Sequence, residues 1–242
     1  MNINWKRLHL PAIALAVALL AGNAAPAKAF DFTGIYLAPK FVYGIQVTDG
    51  NKQSGTFDYG WKSSEKNVFG GGVALGYNFD PILNCPVRVE VEYLAFGNKQ
   101  SEKSRRFDSG DILNYSHRIG VQSLMFNAYW DIKTGTRWTP YLGAGLGMGF
   151  LSMKTTNHGY DATGAQNLAL STGYGDRTRF AWNVGAGVAF TVNERLAFDL
   201  GYRYADYGRA ESKTAVSAGG YTLKGKSDVT MHQFLLSARI SF

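Results

Sequence analysis

Cysteine is almost missing from this chain: Cys85 stands alone among 242 residues. A single thiol closes no internal disulfide. With four scattered histidines beside it, the sequence shows no ligand cluster for a transition metal. Long hydrophobic runs are missing too. The apolar run from Ala12 to Gly22 has about 11 residues, whereas a membrane helix needs roughly 20. No later stretch reaches even 18, which excludes a transmembrane helix. A strong charge of one sign is also lacking. Lys6, Arg7 and Lys28 precede residue 30, leaving 22 basic against 18 acidic residues beyond it, a net charge near +4. That balance is too mild for a nucleic-acid partner, and no cofactor is expected.

The start of the chain is organised. Two basic residues, a short apolar core and the stretch "NAAPAKA", with Ala27 and Ala29 in an A-x-A pattern, predict a secretory signal peptide over residues 1–29, cleaved after Ala29. Residues 30–242 are then expected to form one domain.

Period-2 alternation dominates that domain. In "VRVEVEYLAF" Val87, Val89, Val91, Tyr93 and Ala95 share one face, and Arg88, Glu90 and Glu92 the other. In "GIYLAPKFVYGIQV" Ile35, Leu37, Phe41, Tyr43, Ile45 and Val47 oppose Tyr36, Ala38, Lys40, Gly44 and Gln46. "YLGAGLGMGF" sets Leu142, Ala144, Leu146, Met148 and Phe150 against Gly143, Gly145, Gly147 and Gly149. The same template recurs in "NVFGGGVALGYNF", "FAWNVGAGVAF", "LAFDLGYRY" and "HQFLLSARISF". It is weakest in "SLMFNAYWDI", where Leu124, Phe126, Ala128, Trp130 and Ile132 are placed outward; upstream, Ile119 and Val121 fall on the opposite parity, so a bulge or register change is expected there. Pro39 interrupts the first strand, and a bulge is the one account the sequence offers.

These are eight strands of the roughly 9–11 residues that a tilted strand needs to cross a bilayer. Short connections at 80–86, 133–138 and 192–195 alternate with long polar ones near 49–66, 98–117, 153–178 and 208–228. The expected fold is all-β: an eight-stranded antiparallel transmembrane β-barrel with short periplasmic turns and long extracellular loops. A soluble sandwich would send its polar faces to water and would not need so many glycines. A narrow barrel would, because side chains from all strands crowd one axis. The glycines are therefore expected to make room for larger residues of other strands. A dinucleotide loop is excluded at Gly143, because the sixth position is Met148 and no helix follows.

"WDIKTGTRWTPYLGAGLG", "RVEVEYLAFG" and "LAFDLGYRYADYG", with the leader, the eight strands and the terminal Phe242, resemble the opacity-family porins and surface antigens, small outer-membrane barrels of Gram-negative bacteria. The resemblance implies an outer-membrane surface protein with adhesin-like specificity in its loops. It also implies outer-membrane lipid and lipopolysaccharide as surroundings, a host-cell receptor or glycan as a partner, and Phe242 as the signal read by the barrel-assembly machinery.

Three chemistries are candidates. Lys40, Arg88, Glu90, Glu92, Asp199, Arg203 and Arg239 fall on inward faces and can neutralise one another across the lumen. They could line an ion conduit, as in a narrow porin, or form a salt-bridged plug; an eight-stranded interior is about filled by side chains, which favours the plug. Lys99, Lys103, Arg105 and Arg106 could meet anionic glycans or lipopolysaccharide phosphates, against a bland reading as a solvated loop. A lipid A-modifying or proteolytic barrel enzyme would need a nucleophile and a base brought together. Ser116, His117, His158 and His232 offer no convincing spacing, so no catalytic residue is expected.

Overall fold

Hydrocarbon offers no hydrogen-bond partner to a backbone, so a sheet that crosses a bilayer must close on itself. The computed structural model of the protein describes residues 33–55, 59–61, 63–106, 108–216, 220 and 222–242. The expected leader, 1–29, lies outside the described residues.

Eight strands form the ring: β1 (Ile35–Gly55), β2 (Ser64–Asn78), β3 (Val87–Phe96), β4 (Ile112–Asp131), β5 (Trp138–Tyr160), β6 (Gly175–Asn193), β7 (Leu196–Glu211) and β8 (Thr222–Ser241). Each pairs antiparallel with its sequence neighbours, and β8 pairs with β1, with Tyr36 opposite Ser241. The Phe242 amide donates to the Ile35 carbonyl at 3.1 Å, extending the closing seam to the last residue. One helical turn, α1 (Asp80–Leu83), fills the connection between β2 and β3.

The alternation sorts side chains as the pattern anticipates. Leu142, Leu146, Leu200 and Phe180 are between 58% and 67% exposed, far more than apolar residues of a water-soluble fold tolerate as a continuous belt. Tyr93, Leu124, Met148 and Phe180 form one outward row across four strands. Aromatic rings cluster at the borders of this belt: Trp138 lies 4.6 Å from Phe190 at one end, and Trp182 lies 5.7 Å from Tyr204 towards the other.

Inward, glycine faces a ring. A Cβ on Gly143 would lie 2.5 Å from the Tyr129 ring, and one on Gly187 2.4 Å from the Tyr141 ring. Gly76 does the same for Tyr36, and Gly70 for Phe96. In each pair the ring comes from an adjacent strand and occupies the space a side chain would take.

Three expectations change. No bulge separates Ile119 and Val121 from the rest of β4: its pairing with β5 runs in one register from Asp131–Tyr141 to Ile112–Tyr160. Both residues point inward and are buried, because the outer half of the lumen is apolar. Nor does Pro39 make a bulge. Its ladder to β2 is continuous, and on the β8 side the pairing skips Ala38 and Pro39 and resumes in the same register at Lys40–Ser237. Finally, much of the long connections is strand. β4 has 20 residues and β5 has 23, and the segments Tyr59–Trp61, Lys99–Arg106, Gln166–Ser171 and Ala215–Val216 add pairing at the same end. Past the lipid, antiparallel pairing still satisfies each backbone group, so the ladder continues into water.

Gly143→Val should lower the urea unfolding free energy in micelles by about 1–3 kcal/mol through overpacking against Tyr129. Ala144→Val, one residue away and outward, should change it by less than about 0.5 kcal/mol.

Candidate functional site

Alternation on β1, β3 and β7 aims Lys40, Glu90, Glu92 and Arg203 at a common axis, and the structure joins them into one network. Lys40 Nζ donates to Glu90 at 2.5 Å and to Glu92 at 2.7 Å. From the opposite wall Arg203 donates to both oxygens of Glu92, at 2.8 and 3.2 Å. Arg203 Nε also donates to Gln233 at 2.5 Å, and Gln233 donates to the Tyr207 hydroxyl at 2.7 Å. The hydroxyls of Tyr36 and Tyr129 both donate to Glu90. Glu92 is wholly buried and Glu90 is 4% exposed, so these bonds replace water around each carboxylate.

The other three interior charges of the sequence reading adjoin that network and, among the described residues, take other ion-pair partners. Arg239 and Asp199 pair at 3.6 Å, with Ser237 donating to Asp199. Arg88 turns away from Glu90 and Glu92 to form a two-point bridge with Asp131, at 2.7 and 2.9 Å, and its guanidinium centre lies 5.0 and 5.2 Å from the rings of Tyr129 and Tyr141. Asp131 and the tyrosines were missed by the sequence reading. Their signal was present: once Trp130 is outward, Tyr129 and Asp131 are inward by parity. With Asp131 included, these bridges join four cations to four carboxylates.

A void of about 30 Å³ remains beside Lys40, Arg203 and Asp199, room for about a water molecule. Outward of the charges the lumen becomes apolar. Val42 follows Lys40 on β1, Leu94 and Phe96 follow Glu92 on β3, and Met231 precedes Gln233 on β8; these meet Ile119, Val121, Met125, Leu151 and Met153 in one buried cluster. Composition alone concealed this tier, because its residues sit on the inward parity among glycines and charges.

Beyond the tier the mouth is polar. His117 Nδ1 lies 2.9 Å from Thr155 Oγ1, and burial pushes the imidazole down to about 4. Ser116 and His117 occupy alternate faces of β4, so they form no nucleophile–base pair. Of the loop cations, Lys99, Lys103, Arg105 and Arg106 all lie on the strand Lys99–Arg106. Arg105 and Arg106 are exposed, and the side chains of Lys99 and Lys103 lie outside the described residues. By alternation Arg105 and Arg106 sit on opposite faces of that strand, so these two do not form one patch.

Comparison with known proteins places this geometry. The model of an outer membrane protein beta-barrel domain matches residues 13–242. Outer membrane protein PagN of Salmonella typhimurium is 29% identical over 73% of this chain and 75% of its own length. A protein described as a putative adhesin from Rickettsia conorii is 22% identical over 71% of this chain and 66% of its own. Among solved structures, Neisserial surface protein A aligns with a TM-score of 0.49 and 18% identity, covering 87% of this chain and 98% of that one.

Glu92→Gln should destabilise the barrel by about 3–5 kcal/mol, because Lys40 and Arg203 remain buried without their shared carboxylate. Asp228→Asn, which removes a partly exposed partner of Arg209, should stay within about 1 kcal/mol by the same unfolding assay. His117 yields a pH signature. Its folded value lies below its ordinary 6.5, so the unfolded chain takes up the proton first, and the mouth should loosen as pH falls from about 6.5 to about 4. Amide exchange across residues 112–118 should quicken in that window, after correction for intrinsic exchange, and His117→Asn should flatten the change.

Proposed function

The chain belongs to the outer membrane protein beta-barrel domain family, and we propose that within it this protein is a surface-display barrel of opacity type: a sealed anchor whose extended outer strands carry adhesin-like contacts. One observation carries the reading. The apolar tier of Leu94, Phe96, Met125, Met153 and Met231 crosses the lumen above the charge network, leaving the exposed outer hairpins as the part free to meet another molecule. An outer-membrane relative and one described as a putative adhesin support the same assignment.

In this reading the interior charges hold the barrel together and conduct nothing. The partners are a host-cell receptor or glycan at the outer hairpins, outer-membrane lipid and lipopolysaccharide around the wall, and the barrel-assembly machinery at Phe242. In this reading the protein works by binding and not by catalysis, in line with an outer-membrane relative and one described as a putative adhesin. The narrow-porin alternative would require the apolar tier to part, and no hinge is visible in the register of β3, β4 or β5, which runs unbroken past it.

In planar bilayers the intact protein should give no sustained channel current, and steady channels would overturn the sealed-anchor half. Bacteria displaying the protein should bind host cells, and shortening the hairpin at 99–111 or at 212–221 should reduce that binding severalfold while the barrel still migrates as a folded species in unheated gels. Full binding by a barrel lacking both hairpins would overturn the display half.

A further inference from the structure

We propose that the outer wall of this protein carries a binding groove for a phosphorylated sugar, built on β4, β5 and the strand Lys99–Arg106. The site is separate from the lumen, and it rests on outer-membrane location but not on the adhesive reading.

The groove has a volume of about 320 Å³, the size of a small ligand site, and a mainly polar lining that also includes Tyr115. Its floor is set by register. Gln100 pairs with Arg118, and Arg118 with Lys154, so two cations stand side by side on adjacent strands. Like charges directly opposite each other are unfavourable in a sheet unless an anion joins them. Among the described residues neither makes a salt bridge. Arg118 donates to the Gln100 side-chain oxygen at 2.6 Å, and Lys154 Nζ lies 5.9 Å from the centre of the Tyr174 ring. One carboxylate, Glu102, lines the groove, and the Gln100 amide holds it at 2.7 Å. Two cations against one carboxylate leave a positive excess, flanked by the hydroxyls of Ser116 and Thr156 and the imidazole of His158.

This composition has a chemical reading. A guanidinium and an ammonium on one floor fit a phosphate dianion, with the guanidinium able to donate two parallel hydrogen bonds. A carboxylate, hydroxyls and an amide around it fit the alternating donors and acceptors of a sugar ring. Position narrows the source. Gln122 and Phe150 pair at the upper border of the lipid-facing belt. Arg118 is four residues further along β4, which at the usual strand tilt is about 10 Å above that border. A phosphorylated sugar at that height belongs either to the head of an outer-leaflet glycolipid or to a soluble sugar phosphate arriving from outside.

The test uses the full-length protein folded in detergent, with two probes: a phosphorylated diglucosamine glycolipid presented in mixed micelles, and free glucosamine 1-phosphate. The dephosphorylated glycolipid is the control. Native protein should bind at least one phosphorylated probe, and the Arg118→Gln/Lys154→Gln pair should weaken it by about tenfold or more, as expected for loss of two charge-assisted contacts. Arg118→Lys should retain part of the affinity. Both substitutions lie on a solvent-facing wall, and unchanged heat-modifiable gel mobility will show that the barrel has folded. Preference for the glycolipid assigns the site to lipid heads, and preference for the free sugar phosphate assigns it to a soluble ligand; either supports the groove. Equal binding of the dephosphorylated glycolipid, binding that the double substitution leaves unchanged, or no binding of either phosphorylated probe overturns it.

Discussion

Every backbone N–H and C=O in the hydrocarbon must find its partner inside the protein, and in this chain the pairing of β8 with β1 completes that set. The seam runs from Tyr36–Ser241 to Gly55–Leu223, with a register shift only between Asp49 and Lys52, beyond the lipid-facing belt. Even Pro39, which lacks a donor, is accommodated by leaving a gap in one ladder while the other continues. Closure with only eight strands then dictates the interior. So narrow a ring leaves space for side chains and little else, which is why Gly143, Gly187 and Gly76 stand beneath the rings of Tyr129, Tyr141 and Tyr36.

That narrowness also explains why the charges are tied so closely. A carboxylate cut off from water is tolerated only with counter-charge and hydrogen bonds around it, and Glu92 receives both from Lys40 and Arg203 on opposite walls. The same network resists slippage. A one-residue shift of β3 would turn Arg88, Glu90 and Glu92 towards lipid and Val89 and Val91 towards the axis. Outward of this layer the apolar tier needs no counter-charge, so the lumen passes from ion pairs to aliphatic packing within two residues of β1, from Lys40 to Val42.

Beyond the bilayer the constraint relaxes but the pairing persists. β4 and β5 keep one register for twenty paired positions, carrying polar residues on both faces into water. The two sides of this extension differ in use. Its inner side buries His117 against Thr155, and its outer side lines up Arg118 and Lys154 beside a polar groove. The wall that closes the barrel thus also presents a recognition surface.

Much of this was legible in the residues themselves. Strict alternation in "VRVEVEYLAF" and "YLGAGLGMGF" determined strand, face and number of crossings, because lipid demands apolar side chains on every second position. It also identified which charges face inward, since parity follows from one outward assignment per strand. What alternation could not convey is which inward residues meet across the axis. The Arg203–Glu92 contact joins positions 111 apart, the choice of Asp131 over Glu90 by Arg88 depends on stagger between strands, and Ile119 and Val121 looked misplaced only because an apolar inward residue has no meaning until the tier around it exists. The groove at Arg118 and Lys154 is of the same kind: 36 residues separate two cations that only the β4–β5 register makes neighbours. Sequence alone settles local face and hydrophobicity, which are properties of one strand. Tertiary structure settles partners, tiers and grooves, because shear and closure decide which strand positions share a level.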